Sequence, residues 1–380
     1  MMMIELTPAQ AAAQATFRAF ADREIAPHAD GFDGQGAVSG ALLEAMAGAG
    51  YLGAGLPADY GGAPMDAITF GLLCHELGRA SASVLSIFTV HTIVSHTVLR
   101  WGSRDQRADY LPRLASGQLK AAFALTEPEV GSDAAGVRTR AERTGDDYVV
   151  TGRKLWTSAG AIADVFLVFA AATDAGPTAL LIDRARGVTT TPIRDAFAFR
   201  AAHMAQVTFD RCRVAASSVV ARPGFGLSHV TNTALDHGRY CIAWGATGLV
   251  QACLEASASY AEHRHQFGVP IGSHQLIRRK LADLYTDASA ARALCLRAGH
   301  LRDQGAAESI IETSTAKYYA SRAAVRAALD AVQIHGANGL AAGYPTARYL
   351  RDAKVFEIIE GSNEMQQLLI GEHAQRSLAR

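Results

Sequence analysis

Apolar residues return at three- and four-residue intervals in ALLEAMAGAGYLG (41–53) and FGLLCHELGRA (70–80), a spacing that predicts amphipathic helices over residues 1–120. Gly/Pro stretches such as LPADYGGAP (56–64) separate the pieces. Beyond residue 120 the period shortens. DDYVVTGRKLW (146–156) alternates after a Gly-Asp-Asp turn signal, and DVFLVFA, TALLID, GVTTTPI and MAQVTFD are short, β-rich and regularly spaced. That pattern predicts a compact antiparallel β domain over 121–222. From 223 to 380 the helical period returns in longer form. The stretches 228–262, 274–303 and 308–335 are each Ala/Leu-rich and amphipathic, and with a shorter terminal helix they predict a four-helix bundle. The expected class is α+β: an N-terminal helical domain, a middle antiparallel β domain and a C-terminal bundle.

At 380 residues the chain is too long for one simple core, and 49% apolar with 19% charged residues is a folded composition. Thirty-six basic residues balance 36 acidic ones, so no net charge draws the protein to nucleic acid or an anionic membrane. The five cysteines (Cys74, Cys212, Cys241, Cys253, Cys295) form no CxxC pair, which predicts reduced thiols in a cytoplasmic protein, with no disulfide frame and no metal site. MMMIELTPAQ lacks the basic and apolar regions of a signal peptide. The longest uninterrupted apolar run, VFLVFAAA (165–172), is far short of a membrane span.

Five segments carry candidate chemistry. RDAKVFEIIEGSNEM (351–365) ends an apolar run in Glu360, directly before Gly361, and a buried carboxylate is costly unless paired, hydrogen-bonded or needed. The loop in AFALTEPEVGSDAAG (122–136) gathers Thr126, Glu127, Gly131, Ser132 and Asp133, and can aim N–H groups and hydroxyls at an anionic or heteroaromatic ligand; the alternative is an ordinary helix-to-strand connection. In GRKLWTSAG (152–160), Trp156 is placed to stack on a flat ring, although a Trp is more often a core residue. YAEHRHQFGVPIGSHQ (260–275) sets Arg264 at a helix end, where it suits phosphate or is simply a surface cation. AVQIHGANGL (331–340) reads either as a helix C-cap and turn or as backbone brought close to a ligand.

Together, in this order, these segments resemble the acyl-CoA dehydrogenase family over essentially the whole chain. LTEPxxGSD, GxKxW, RxxFG…Q, QIxGxxG and RDAKxxxIxEG are far more specific together than singly. The resemblance implies FAD at the domain junction, an acyl-thioester substrate on CoA or an acyl carrier protein, an electron-transfer flavoprotein as electron acceptor, and a homo-oligomer, a dimer or a tetramer built as a dimer of dimers. It implies that Thr126 contacts the flavin edge and that Ser132 lies by the pyrophosphate or the thioester arm. Trp156 would lie against the isoalloxazine, and Ser158 takes the place of the usual Thr near N5. Arg264, Phe267 and Gln275 would reach the FAD of a partner subunit, with Gln333, Gly336 and Gly339 at the same site; Ser362 is a further cofactor contact. Arg239, in LDHGRY, would sit near the pantetheine or nucleotide end, and Gly361 beside the substrate.

By the same resemblance Glu360 is the catalytic base. The α-hydrogen of a saturated thioester is a very weak acid. A desolvated carboxylate is therefore needed to take the proton, donors to the thioester oxygen to stabilise enolate character, and a flavin on the opposite face to take the β-hydride. Gly361 lets the chain turn sharply enough for the carboxylate to reach the α-carbon. Glu357, one turn earlier, is the rival; the glycine junction favours Glu360.

The chain departs from the family at Ile359, where many fatty-acyl members carry Tyr, in FAFRAAHMAQVTF (197–209), which lacks the usual Gly-x-Arg-x-Ser, and in HGANG (335–339). SIFTVHTIVSH (86–96) corresponds to the helix beside the acyl chain, where His91 either lines the pocket or is satisfied within the helical layer. Bulky and polar lining suits a short, oxygenated acyl group. TVH with QIHGANG also resembles a subgroup acting on carrier-protein-bound hydroxy- or aminoacyl groups in polyketide and nonribosomal peptide pathways, which makes such a substrate the expectation. Alternatives are a short- or branched-chain acyl-CoA dehydrogenase of catabolism, an oxidase or monooxygenase on the same fold, and a scaffold that has lost its flavin.

Overall fold

The computed structural model describes residues 5–184 and 187–378. Six helices come first: α1 (Pro8–Phe20), α2 (Ala29–Gln35), α3 (Gly40–Gly48), α4 (Ala67–Ala80), α5 (Ala82–Trp101) and α6 (Arg104–Ala115). Their starts follow the capping signals. Thr7 and Ser103 each accept from the N–H of a Gln three residues on, and that Gln side chain accepts from the cap N–H in return.

The strands are β1 (Ala121–Ala124), β2 (Arg140–Thr144), β3 (Asp147–Thr157), β4 (Val165–Ala172), β5 (Gly176–Asp183), β6 (Val188–Pro192), β7 (Ala205–Ala215) and β8 (Val219–Val220). They form one sheet in the order β6-β7-β3-β2-β4-β5-β8, with β1 added on β4. Most pairings are antiparallel, as the alternation predicts. The exceptions are β1–β4 and β2–β4, which run parallel. The β2–β3 hairpin intervenes in sequence, so the chain reaches β4 by a crossover rather than a tight turn.

Strand β4 explains its unbroken apolar run. Phe166, Val168, Ala170 and Ala172 face the core of the β domain, while Val165, Leu167 and Phe169 pack with Val94 and Val98 of α5 and Leu111 and Leu114 of α6. Both faces are buried, so both need apolar side chains.

The C-terminal part holds α7 (Asn232–His263), α8 (Gln275–Asp303), α9 (Ser309–His335), α10 (Thr346–Phe356) and α11 (Asn363–Leu378). The long helices α7, α8 and α9 pack mutually, and α10 and α11 lie on α9. Helix α4 crosses α7 closely because Gly78 meets Gly245, where a Cβ would strike the opposing backbone. This joins the N-terminal helices and the bundle into one apolar core.

Helix α5 corrects the sequence reading. Ser, Thr and His interrupt its apolar run, yet the 20-residue helix reaches a mean hydropathy of 1.5 over its best window, enough by length and composition to cross a membrane. That window is 89% buried inside the fold, which makes α5 a core helix.

Candidate active site

The segment after α10 turns through two successive left-handed residues, Glu360 (φ 56°) and Gly361 (φ 88°). Glycine takes this conformation freely; a glutamate held there is strained. Trp156 (φ 58°) and Phe267 (φ 54°) share that strain. Ala159, Phe199, His203, Arg211 and Ala221 share it too, so the strain is not confined to the expected site residues, and the residue pattern carries no sign of it.

Three side chains grip the turn by its carbonyls. Arg239 Nε of α7 donates to Glu360 O at 3.0 Å, and Lys317 Nζ of α9 donates to Gly361 O at 2.9 Å. Gln366 Nε2 donates to Gly361 O at 3.1 Å. Lys317 also donates to Asn363 Oδ1 at 3.1 Å, and Ser321 donates to the same oxygen at 3.0 Å. Lys317, Ser321 and Gln366 are fully buried, so the turn rests on a buried polar network in which Gln366 Oε1 is left without a partner.

Glu360 as a whole is only half-buried, but one oxygen of its carboxylate is turned inward. Oε2 is shielded from solvent and has no hydrogen-bond partner. It lies against Gly238 of α7, where a Cβ would overlap it and would also stand 2.9 Å from Ile93 Cδ1 of α5. Burial pushes the Glu360 carboxyl up to about 7, against the opposing pull of Arg239 and Lys317. Burial likewise lowers the Lys317 ammonium to about 8, opposed by Glu360. A desolvated, unpartnered carboxylate near neutrality suits a general base. Glu357 differs: its Oε2 takes a 2.7 Å bond from Lys354 at the surface.

The rest of RDAK is structural. Arg351 binds Asp33 at 2.6 Å and the Phe197 carbonyl at 3.0 Å, and buried Asp352, pushed up to about 6 by burial, accepts from Phe199 N at 2.9 Å. Together they clamp α10 under the β6–β7 connection.

The LTEP loop is pinned to β3 by a buried pair, Lys154 Nζ to Glu127 Oε1 at 2.7 Å. Glu127 also accepts from the N–H groups of Arg138 (2.7 Å) and Thr139 (2.9 Å). Burial opposes its ionisation, but Lys154 and Thr139 hold its carboxyl below the ordinary value. On this support Thr126 is half-buried, Ser132 is exposed, and the Trp156 ring is 54% exposed at the end of β3. Ser158 accepts from Ser86 of α5 at 2.9 Å.

A second group of predicted residues stands apart. Arg264 and Phe267, the latter 94% exposed, line a cavity of about 350 Å³ with Gly336. Gln275 and Gln333 are exposed beside it, at the start of α8 and near the end of α9. Arg264 follows Gly238 by 26 residues along α7, about 39 Å of helical rise, so one chain does not bring the two groups together. Ser362 is half-buried, next to Gly361.

Three expectations change. His91 does not line a pocket: it is buried against α6 and β1, with Nε2 donating to Leu114 O at 3.2 Å and Nδ1 accepting from Ala121 N at 3.4 Å. Arg239 gives its Nε to the Glu360 carbonyl, which makes it a positioning residue in addition to the substrate contact expected of it. Gly339 is buried inside its turn, where a Cβ would meet the Val332 carbonyl, so it serves packing. Sequence reasoning missed Gly238, Lys317, His96 and His237. A glycine within an apolar helix and a lone lysine in Ala-rich TSTAKYYAS were the available signals.

Family models for the acyl-CoA dehydrogenase N-terminal, middle and C-terminal domains match residues 7–118, 122–212 and 224–375. An acyl-CoA dehydrogenase of Bacillus subtilis is 38% identical over 376 residues, covering 97% of this chain and 99% of its own. The structure of butyryl-CoA dehydrogenase from Megasphaera elsdenii superposes with a TM-score of 0.94 at 30% identity, covering 99% of this chain and all of that one. FkbI, for biosynthesis of the methoxymalonyl extender unit of a polyketide immunosuppressant, superposes with a TM-score of 0.87 at 32% identity, covering 96% of this chain and 99% of its own.

Proposed function

Since the chain belongs to the acyl-CoA dehydrogenase family, whose members are FAD-dependent oxidoreductases of acyl thioesters, we propose that Glu360 is the base and that the substrate is a short, polar acyl group on an acyl carrier protein. The observation that carries the base assignment is Glu360 Oε2, shielded and unpartnered against Gly238. It takes the α-proton. The Glu360 N–H has no backbone partner among the described residues and is free to donate to the thioester oxygen. Arg239 and Lys317 hold the turn by its carbonyls, and both supply positive charge that favours the ionised carboxylate.

The residues present fit a flavin: Trp156 offers an open indole face, and nothing lies within 4 Å of where a Cβ on Gly131 would stand. FAD, when bound, supplies hydride acceptance. Thr126, Ser132, Trp156, Ser158 and Ser362 would hold it in this chain. Arg264, Phe267, Gln275, Gln333 and Gly336 would serve the FAD of a second copy, which their separation from Glu360 supports. That arrangement requires a homo-oligomer. An electron-transfer flavoprotein is the proposed electron acceptor.

The likeness to FkbI supports a biosynthetic, polar substrate; the likeness to butyryl-CoA dehydrogenase favours a short acyl-CoA as the second reading. Flavin-loaded protein offered matched carrier-protein and CoA thioesters, with a dye acceptor, separates the two. Faster turnover of the carrier-bound form is expected, and faster turnover of the CoA form would overturn the carrier assignment.

A further inference from the structure

Two imidazoles that the chemistry above does not use lie close to Glu360. His96 of α5 and His237 of α7 stack with centroids 4.3 Å apart, and Phe70 of α4 lies 5.1 Å from His237. His96 and His237 each keep part of their surface accessible, although the neighbours of His96 along α5 are buried. The pair stands near the Glu360 carboxylate. Ile93 lies one turn before His96 and Gly238 directly follows His237, and both adjoin the Glu360 carboxylate.

The hydrogen-bond network assigns the protons. The Thr92 hydroxyl donates its single proton to Thr89 O at 3.1 Å, so Thr92 Oγ1 must accept from His237 Nε2–H, also at 3.1 Å. The Ala54 carbonyl only accepts, so the 3.1 Å contact to His96 is an Nε2–H donation. Burial keeps both rings neutral, reinforced for His237 by His96 and for both by Arg302. Arg302 itself is committed to Asp236 and Thr313. Each Nδ1 is left as a bare acceptor with no hydrogen-bond partner among the described residues. Neither Nδ1 is among the polar side-chain atoms sealed from solvent, so both acceptors stay open to what occupies the space beside them, and a donor there gains a bond that an aliphatic chain cannot offer.

We propose that His96 and His237 determine specificity, selecting acyl groups that carry a hydrogen-bond donor, a hydroxyl or amino substituent, over plain alkyl chains and over chains ending in carboxylate. The donor satisfies the imidazole acceptors. An alkyl chain leaves them unpaired, and a carboxylate sets lone pairs against lone pairs. This refinement rests on the acyl-thioester reading of the same site.

The test compares kcat/KM of the flavin-loaded enzyme for butyryl, 4-hydroxybutyryl and glutaryl groups on one pantetheine arm. The hydroxylated chain should exceed butyryl by roughly tenfold or more, with glutaryl slowest. In His96→Leu and His237→Leu proteins with full flavin content the hydroxyl-to-alkyl ratio should fall toward one. His237→Gln, which keeps an acceptor oxygen, should retain part of the preference. Should the leucine proteins not fold, the wild-type ratio alone decides. A wild-type preference for butyryl or glutaryl, or an undiminished hydroxyl preference in the leucine variants, would overturn the proposal while leaving the dehydrogenase reading intact. No turnover of any thioester would remove both.

Discussion

Gly238 and Glu360 compete for one volume: the carboxylate of Glu360 occupies the space that any side chain on Gly238 would need. Helix α7 gives up the roughly 1 kcal/mol that Ala would add over Gly within a helix. The cost is explicable if the carboxylate must lie there.

Gly238→Ala should therefore keep the fold and the flavin while displacing the base. A shift of about 1 Å is enough for roughly a hundredfold loss in kcat/KM. Steady-state kinetics with flavin absorbance as the folding control measures it. A near-normal rate would mean that the carboxylate works from elsewhere.

The raised Glu360 value couples activity and stability to pH in opposite directions. The base must be ionised, so kcat/KM should climb as pH rises through about 7. The folded value lies above the ordinary 4.5, so the native state binds this proton more tightly than the unfolded chain does. The resulting stability is complete below about 4.5 and is lost as pH rises through about 7. Its size is at most about 3 kcal/mol. Thermal melts of wild type and Glu360→Gln between pH 4.5 and 8 should diverge, with the Gln protein the flatter of the two. Parallel curves would contradict the shift.

Lys317→Met should leave Gly361 O and the buried Asn363 without their shared donor. The expected destabilisation is about 2–3 kcal/mol by denaturant unfolding. Because the same lysine positions the base and favours its ionised form, the acidic limb of the kcat/KM profile should also move to higher pH. Lost stability with an unmoved limb would assign Lys317 to structure alone.

Removing one partner of the Glu127–Lys154 pair should cost more than removing both. Lys154→Met leaves a buried carboxylate uncompensated, about 3–5 kcal/mol, whereas Glu127→Gln with Lys154→Met leaves no buried charge. A double-mutant cycle on stability reads the coupling. Flavin retention should fall in the single variant, because the LTEP loop loses its anchor. Additive losses would contradict the pairing.

Much of this was legible in the residue pattern, because the long helices α7, α8 and α9 repeat their apolar face over many turns. The parallel β1–β4 pairing was not. Its four-residue strand is too short to carry a pattern, and its partner lies beyond an intervening hairpin. In the site, Glu360 was marked by its position before a glycine. His91 was singled out on α5 and His96 was not, yet five residues of helix turn them about 140° apart: His91 meets the Leu114 carbonyl and His96 stacks on His237. Lys317 and Gly238 reach Glu360 from 43 and 122 residues away, and no local signal reports contacts of that range.

The most direct test is the rate of flavin-loaded Glu360→Gln beside flavin-loaded Glu357→Gln on one thioester. With Glu360 as the base, the first should lose at least about a hundredfold in kcat and the second should stay within a few-fold of wild type. A near-normal rate for Glu360→Gln, or the larger loss in Glu357→Gln, would contradict the assignment.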